Sequence, residues 1–118
     1  MRTLLIIVAL LTAPFAATAA QAHAFLDHAS PAVGSTVQAA PHEVALTFTQ
    51  NLEASFSTVT VTDAGGASVV AGKPQVGGNT MRVGLKALSA GTYKVHWHAL
   101  SVDTHSTEGT FSFTVGGK

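Results

Sequence analysis

The chain has no cysteine. It therefore cannot form disulfides, and it cannot build a thiolate metal centre. Charge is also scarce and balanced, with six Lys+Arg against six Asp+Glu in 118 residues. Such a balance does not provide the basic face that nucleic acid or an anionic membrane surface selects. Methionine occurs only at Met1 and Met81, too sparsely for a site built on several soft thioethers. The longest apolar run, Leu4 to Leu11, is too short to span a bilayer, which takes about 20 residues. What remains is a small, nearly neutral chain with six histidines, which are as numerous as the basic or the acidic residues.

That short apolar run has the features of an export signal. Arg2 supplies a positive start, Leu4–Leu11 the hydrophobic stretch, and Pro14 with an Ala/Thr-rich segment leads to Ala20-Gln21-Ala22. The last triplet is a small-x-small cleavage site. The expectation is that residues 1–22 form a cleaved signal peptide and residues 23–118 the mature domain. An uncleaved anchor is one alternative. A cut after Ala17-Thr18-Ala19, leaving a start at Ala20, is another. The mature chain then holds 96 residues with five basic and six acidic side chains, enough for one small domain. The expected location is the periplasm, with no stable membrane insertion after cleavage.

The mature sequence reads as all-β. Val44, Leu46 and Phe48 alternate with polar neighbours, as do the residues of Thr58-Val59-Thr60-Val61-Thr62. Met81/Val83/Leu85, Tyr93/Val95/Trp97/Ala99 and Phe111/Phe113/Val115 continue the same period of two. Shorter strands are expected at 25–29 and 68–71. Turn signals separate them at Ser30-Pro31, Pro41, Gly65-Gly66, Gly72-Lys73-Pro74, Gly77-Gly78-Asn79 and Ala90-Gly91. About seven short strands with turns at this spacing predict a Greek-key β-sandwich or flattened barrel, cupredoxin- or immunoglobulin-like. Met81 and Trp97 fall on the apolar faces and are expected in the core.

Two places in the sequence suggest metal chemistry. Cleavage after Ala22 makes His23 the first residue. Its free α-amine and imidazole Nδ1 can then close one chelate ring. Asp103 and His105, two residues apart, leave the same face of an extended chain about 6.6 Å apart at Cα. Alone, Asp-x-His is a weak signal, more often a solvated loop at a strand end. Combined with an N-terminal histidine it completes an amine, two imidazoles and a carboxylate, a tetragonal N,O set that suits Cu(II).

The mature chain resembles the CopC family of periplasmic copper-binding proteins. The resemblance spans residues 23–118. The opening His23-Ala24-Phe25-Leu26-Asp27-His28-Ala29-Ser30-Pro31-Ala32 is similar to the family's start, and Leu46-Thr47-Phe48-Thr49-Gln50-Asn51-Leu52 to its L-x-F-S-E-x-L/V segment. Most specific is Gly91-Thr92-Tyr93-Lys94-Val95-His96-Trp97-His98-Ala99-Leu100-Ser101-Val102-Asp103-Thr104-His105, similar to G-x-Y-x-V-x-W-x-x-x-S-x-D-x-H. Glu108-Gly109-Thr110-Phe111-Ser112-Phe113-Thr114-Val115 fits the family's ending. The resemblance implies a cupredoxin-like barrel holding one Cu(II) per chain through the residues matching His23, Asp103 and His105. It also implies an inner-membrane copper transporter of the CopD type as a partner. The chain departs from the pattern at Gln50, where some relatives carry a glutamate, and in lacking the methionine-rich loop of others. The expectation is therefore one Cu(II) site and no separate Cu(I) site.

The other histidines are weighed separately. His96 and His98 lie on the face opposite Trp97 and read as a surface chelating pair, as solvated residues, or, for His98, as a partner near Asp103. Glu108 reads either as a carboxylate orienting the second ring nitrogen of His105 or as a plain surface residue. Gln50 reads as a hydrogen-bonding partner for a copper-bound water. His28 and His42 are given no role. The functional expectation is a non-enzymatic periplasmic copper carrier that sequesters, confers resistance or delivers to the transporter. The alternative is a copper-dependent oxidative enzyme of the lytic polysaccharide monooxygenase kind. Against that stand the anionic oxygen of Asp103, which favours Cu(II), and a chain whose single Trp and single Tyr fall on core faces.

Overall fold

The computed structural model describes residues 26–117. The proposed signal segment and His23 lie outside them. Eight strands run in chain order: β1 (Leu26–Ser30), β2 (Thr36–Val37), β3 (Glu43–Phe48), β4 (Thr58–Thr62), β5 (Val70–Gly77), β6 (Thr80–Leu85), β7 (Gly91–Leu100) and β8 (Ser106–Val115). They form two four-stranded sheets, ordered β1-β3-β6-β5 and β2-β8-β7-β4. All pairings are antiparallel except β2 with β8. Among the described residues only β5–β6 and β7–β8 are hairpins; every other connection crosses between the sheets. The expected all-β sandwich is thus observed. No helix among the described residues is long and apolar enough to cross a membrane.

The period-two patterns become the two inner faces. Val44, Leu46 and Phe48 from β3 and Met81, Val83 and Leu85 from β6 meet Val59 and Val61 from β4 and Tyr93, Val95, Trp97 and Ala99 from β7. Trp97 is fully buried, and its ring meets that of Phe48 edge-on at 5.3 Å. Truncating an aromatic residue at such a position costs about 3–5 kcal/mol. With no disulfide available, this core and the ladders around it hold the domain together.

Three details differ from the sequence expectation. β2 is an additional strand of two residues, too short to show a period. The Gly72-Lys73-Pro74 signal does not end a strand; β5 runs through it with a register shift between Ala71 and Gln75, where Gly72 takes φ +93°. Glycine and proline here mark a bulge, a feature that shares its composition with a turn. β8 begins at Ser106, five residues before the apolar alternation of Phe111, because its first half pairs with the end of β7. At the Asp63–Ala67 turn the expectation holds. Asp63 Oδ1 accepts hydrogen bonds from the Gly65 and Ala67 amides, each at 2.9 Å.

Candidate metal centre

The β7–β8 hairpin pairs Leu100 with Ser106, so Ser101–His105 form its connecting loop. Asp103 and His105 are therefore in a turn, not in an extended strand. The alternation argument for their shared direction does not apply. The turn has its own cause of closure. The Ser101 amide donates to the His105 carbonyl at 2.9 Å, and the Thr104 amide to the Ser101 carbonyl at 2.8 Å. Thr104 takes φ +73°, a left-handed conformation that is unusual for a β-branched residue. That reversal brings the side chains together, with His105 Nδ1 3.3 Å from Asp103 Oδ1.

Beneath the turn lies Ser101, fully buried and polar. Its Oγ donates to Asp103 Oδ1 and accepts from the His105 amide at 3.2 Å. The same amide also reaches Asp103 Oδ1 at 3.4 Å. The contacts to the carboxylate all use Oδ1; among the described residues Oδ2 has no hydrogen-bond partner. The Ser101 hydroxyl is the largest influence on the Asp103 carboxyl and holds it below its ordinary value of 3.8. Partial desolvation opposes the shift, and hydrogen bonds and charge from His105 add smaller lowerings. The pair faces water: the His105 side chain is 77% exposed and that of Asp103 47%. Imidazole and anionic carboxylate, held together and exposed, are suitable donors for a divalent transition metal. Among the described residues no third His, Asp or Glu converges on them.

The loop is fastened to the segment that follows β3. Leu52 bridges to Ser101, the Glu53 amide donates to the Leu100 carbonyl at 2.8 Å, and the Val102 amide to the Asn51 carbonyl at 3.0 Å. Residues 49–53 follow directly on β3, whose last residue, Phe48, lies opposite Leu26 at the start of β1. The first described residue and the Asp103/His105 loop thus belong to the same end of the sandwich.

The remaining candidates lie elsewhere. Glu108 does not orient His105; its Oε2 lies 2.8 Å from His96 Nε2 on the outer face of the β7–β8 pair. His98 Nε2 lies 3.3 Å from Ser106 Oγ, so His98 is not a partner of Asp103 either. Gln50 is exposed in the loop after β3. His28 Nδ1 contacts Asp27 Oδ2 at 3.0 Å on an exposed strand. Met81 is fully buried, as its alternation implied. Sequence reasoning missed Ser101 as part of the site. The signal was present, because the inward series Tyr93, Val95, Trp97, Ala99 continues to 101, and a serine there is a buried hydroxyl that needs a partner.

Comparison with known proteins bears on the family and the fold. The CopC domain is matched over residues 26–116. The chain is 34% identical to "Protein YobA" of Escherichia coli K12, over 97% of this chain and 95% of that protein. It is 37% identical to "Copper resistance protein C" of Xanthomonas campestris pv. juglandis, over 97% and 96%. The crystal structure of CopC from Methylosinus trichosporium OB3b superposes with a TM-score of 0.74 at 31% identity, covering 80% of this chain and 95% of that one. With this domain match, this identity and this fold, the chain belongs to the CopC family.

Proposed function

We propose that the chain is exported to the periplasm, is cleaved after Ala22, and there holds one Cu(II) as cargo. The donors are the α-amine and imidazole of His23, the carboxylate of Asp103 and the imidazole of His105. The observation that carries this reading is the convergence of Asp103 and His105, 3.3 Å apart, on an exposed loop at the end of the sandwich where the described chain begins. From Leu26 back to His23 is three residues, a reach of about 10 Å. Two exposed donors from the loop leave positions for two more, and an N-terminal histidine supplies two from one residue. Such an N,O set ranks Cu(II) above the other divalent ions, and the single mature methionine is in the core.

The proposed role is carriage: sequestration of copper, resistance to it, or its delivery to a membrane transporter. No catalytic step is assigned. The relatives' names, copper resistance protein C among them, support the metal and the role. Release is simple in this arrangement, because withdrawal of one terminal residue removes two donors at once.

The test is the terminus itself. Intact mass of the exported protein should correspond to residues 23–118. Adding one residue before His23 should weaken Cu(II) binding by at least tenfold in competition with a chelator, whereas His42→Ala should leave it unchanged. Trp97 fluorescence should fall to a plateau at one equivalent of Cu(II). A mature start at Ala20, or equal effects of the two changes, would overturn the amine chelate.

A further inference from the structure

Ser101 is the one fully buried polar side chain of the domain's described residues. It is not a spectator of the core. Its hydroxyl donates to Asp103 Oδ1, and its oxygen accepts the His105 amide at 3.2 Å. One side chain thus holds both residues that the proposed site takes from the loop, one by its carboxylate and the other by its backbone. The backbone alone does not fix this arrangement, because Asp103 is exposed and carboxylate side chains there sample several rotamers. Ser101 itself has little freedom. It continues the buried face of β7, and its backbone bridges to Leu52 in the segment after β3. The hydroxyl takes up Oδ1 and leaves Oδ2 without a hydrogen-bond partner among the described residues.

We infer that Ser101 is a positioning residue for copper: it fixes the Asp103 carboxylate through Oδ1 so that Oδ2 is presented to the metal. The inference rests on the reading of Asp103 as a ligand. A buried hydroxyl that holds one carboxylate oxygen lowers the conformational entropy lost on binding and sets the direction of the donor. Loss of such outer partners costs about 10–100-fold in metal affinity.

The nearby Ser57 serves as an internal control. It is also buried at this end of the sandwich, and its Oγ accepts the Leu100 amide at 3.1 Å, but it has no hydrogen bond to Asp103 or His105.

The experiment is a double-mutant cycle on the mature chain, with Cu(II) affinity measured by chelator competition and the copper environment by EPR. Ser101→Ala should weaken Cu(II) binding by about 10–100-fold and move the EPR parameters toward those of Asp103→Asn. In the Asp103→Asn background the same change should cost less than about threefold, because the carboxylate it served is gone. Ser57→Ala should leave affinity and spectrum unchanged, whatever it does to stability. Equal losses in both backgrounds would mean that Ser101 acts on the loop as a whole, and would overturn the inference. So would wild-type affinity in Ser101→Ala. If Ser101→Ala gives no folded chain by circular dichroism, Ser101→Thr decides. Retention of affinity and spectrum with the hydroxyl supports the inference, and a tenfold loss overturns it. Failure of the underlying reading looks different: Asp103→Asn alone would then bind Cu(II) like the wild type.

Discussion

The β7–β8 hairpin pairs a histidine with a carboxylate in two places. On the outer sheet face His96 Nε2 lies 2.8 Å from Glu108 Oε2, between neighbouring strands of a regular ladder. In the connecting loop His105 Nδ1 lies 3.3 Å from Asp103 Oδ1. By distance the first pair is the better one. In the first pair one nitrogen meets one oxygen across the sheet, and no other side chain holds the carboxylate among the described residues. In the second, a buried serine holds one carboxylate oxygen and the backbone of the histidine, so the direction of the other oxygen is set from below. The turn also lies at the end of the sandwich where β1 begins, while the sheet pair lies along its side. Proximity of donor types does not make a site; a metal needs donors whose capacity the protein has left open and whose direction it has fixed.

The largest test of that contrast is metal affinity. Asp103→Ala and His105→Ala should each weaken Cu(II) binding by about a hundredfold or more, since loss of an outer partner alone costs 10–100-fold. His96→Ala and His98→Ala should change it by less than about threefold. Comparable losses at the two places, measured by the same chelator competition, would break the distinction and move copper to the sheet face.

Proton linkage gives a smaller effect, because the Asp103 carboxylate is half exposed and screened by water. Its folded pKa lies below the ordinary 3.8, chiefly through the Ser101 hydroxyl. The stabilisation is therefore complete above the value of an unfolded aspartate, about 3.9, and is lost as the pH falls through the lower folded value. Asp103→Asn should flatten the decline of the metal-free protein's stability in that acid window, followed by denaturant titration. An unchanged acid limb would mean that the Ser101–Asp103 hydrogen bond does not persist in solution.

The sandwich was legible because period-two alternation is a property of each strand separately. Val44/Leu46/Phe48 and Tyr93/Val95/Trp97/Ala99 needed no knowledge of their partners to be placed on inner faces. Features that depend on a partner were not legible. β2 is two residues held by Val115 and Thr114 of β8, and Gly72-Lys73-Pro74 is a bulge only because β6 continues to pair on both sides of it. The site shows the same division. Asp103 and His105 were visible as donor types at close spacing, but the stated reason for their convergence was strand alternation. The observed reason is a turn, with Thr104 at positive φ and Ser101 beneath it. One of the two sequence readings of Glu108 pairs it with His105, three residues away. The antiparallel register puts Glu108 opposite His98 and diagonal to His96 instead.

The smallest expected effect lies on the side of the comparison for which no metal is proposed. Glu108→Gln removes the charge of the carboxylate that faces His96 but keeps its length and an acceptor oxygen. Both side chains are substantially exposed, 43% for His96 and 59% for Glu108. An exposed ion pair of this kind contributes roughly 0–1 kcal/mol, and an imidazole partner is charged only when protonated. The substitution should therefore change stability at neutral pH by less than about 0.5 kcal/mol in urea unfolding. Any effect should be greatest at low ionic strength, since salt screens exposed charges. Cu(II) affinity should stay at the wild-type value. A loss of stability well above that figure would mean the sheet pair is a structural clamp, not a surface contact. A loss of copper affinity would mean that the two pairs are coupled through the hairpin, and the contrast drawn between them would fail.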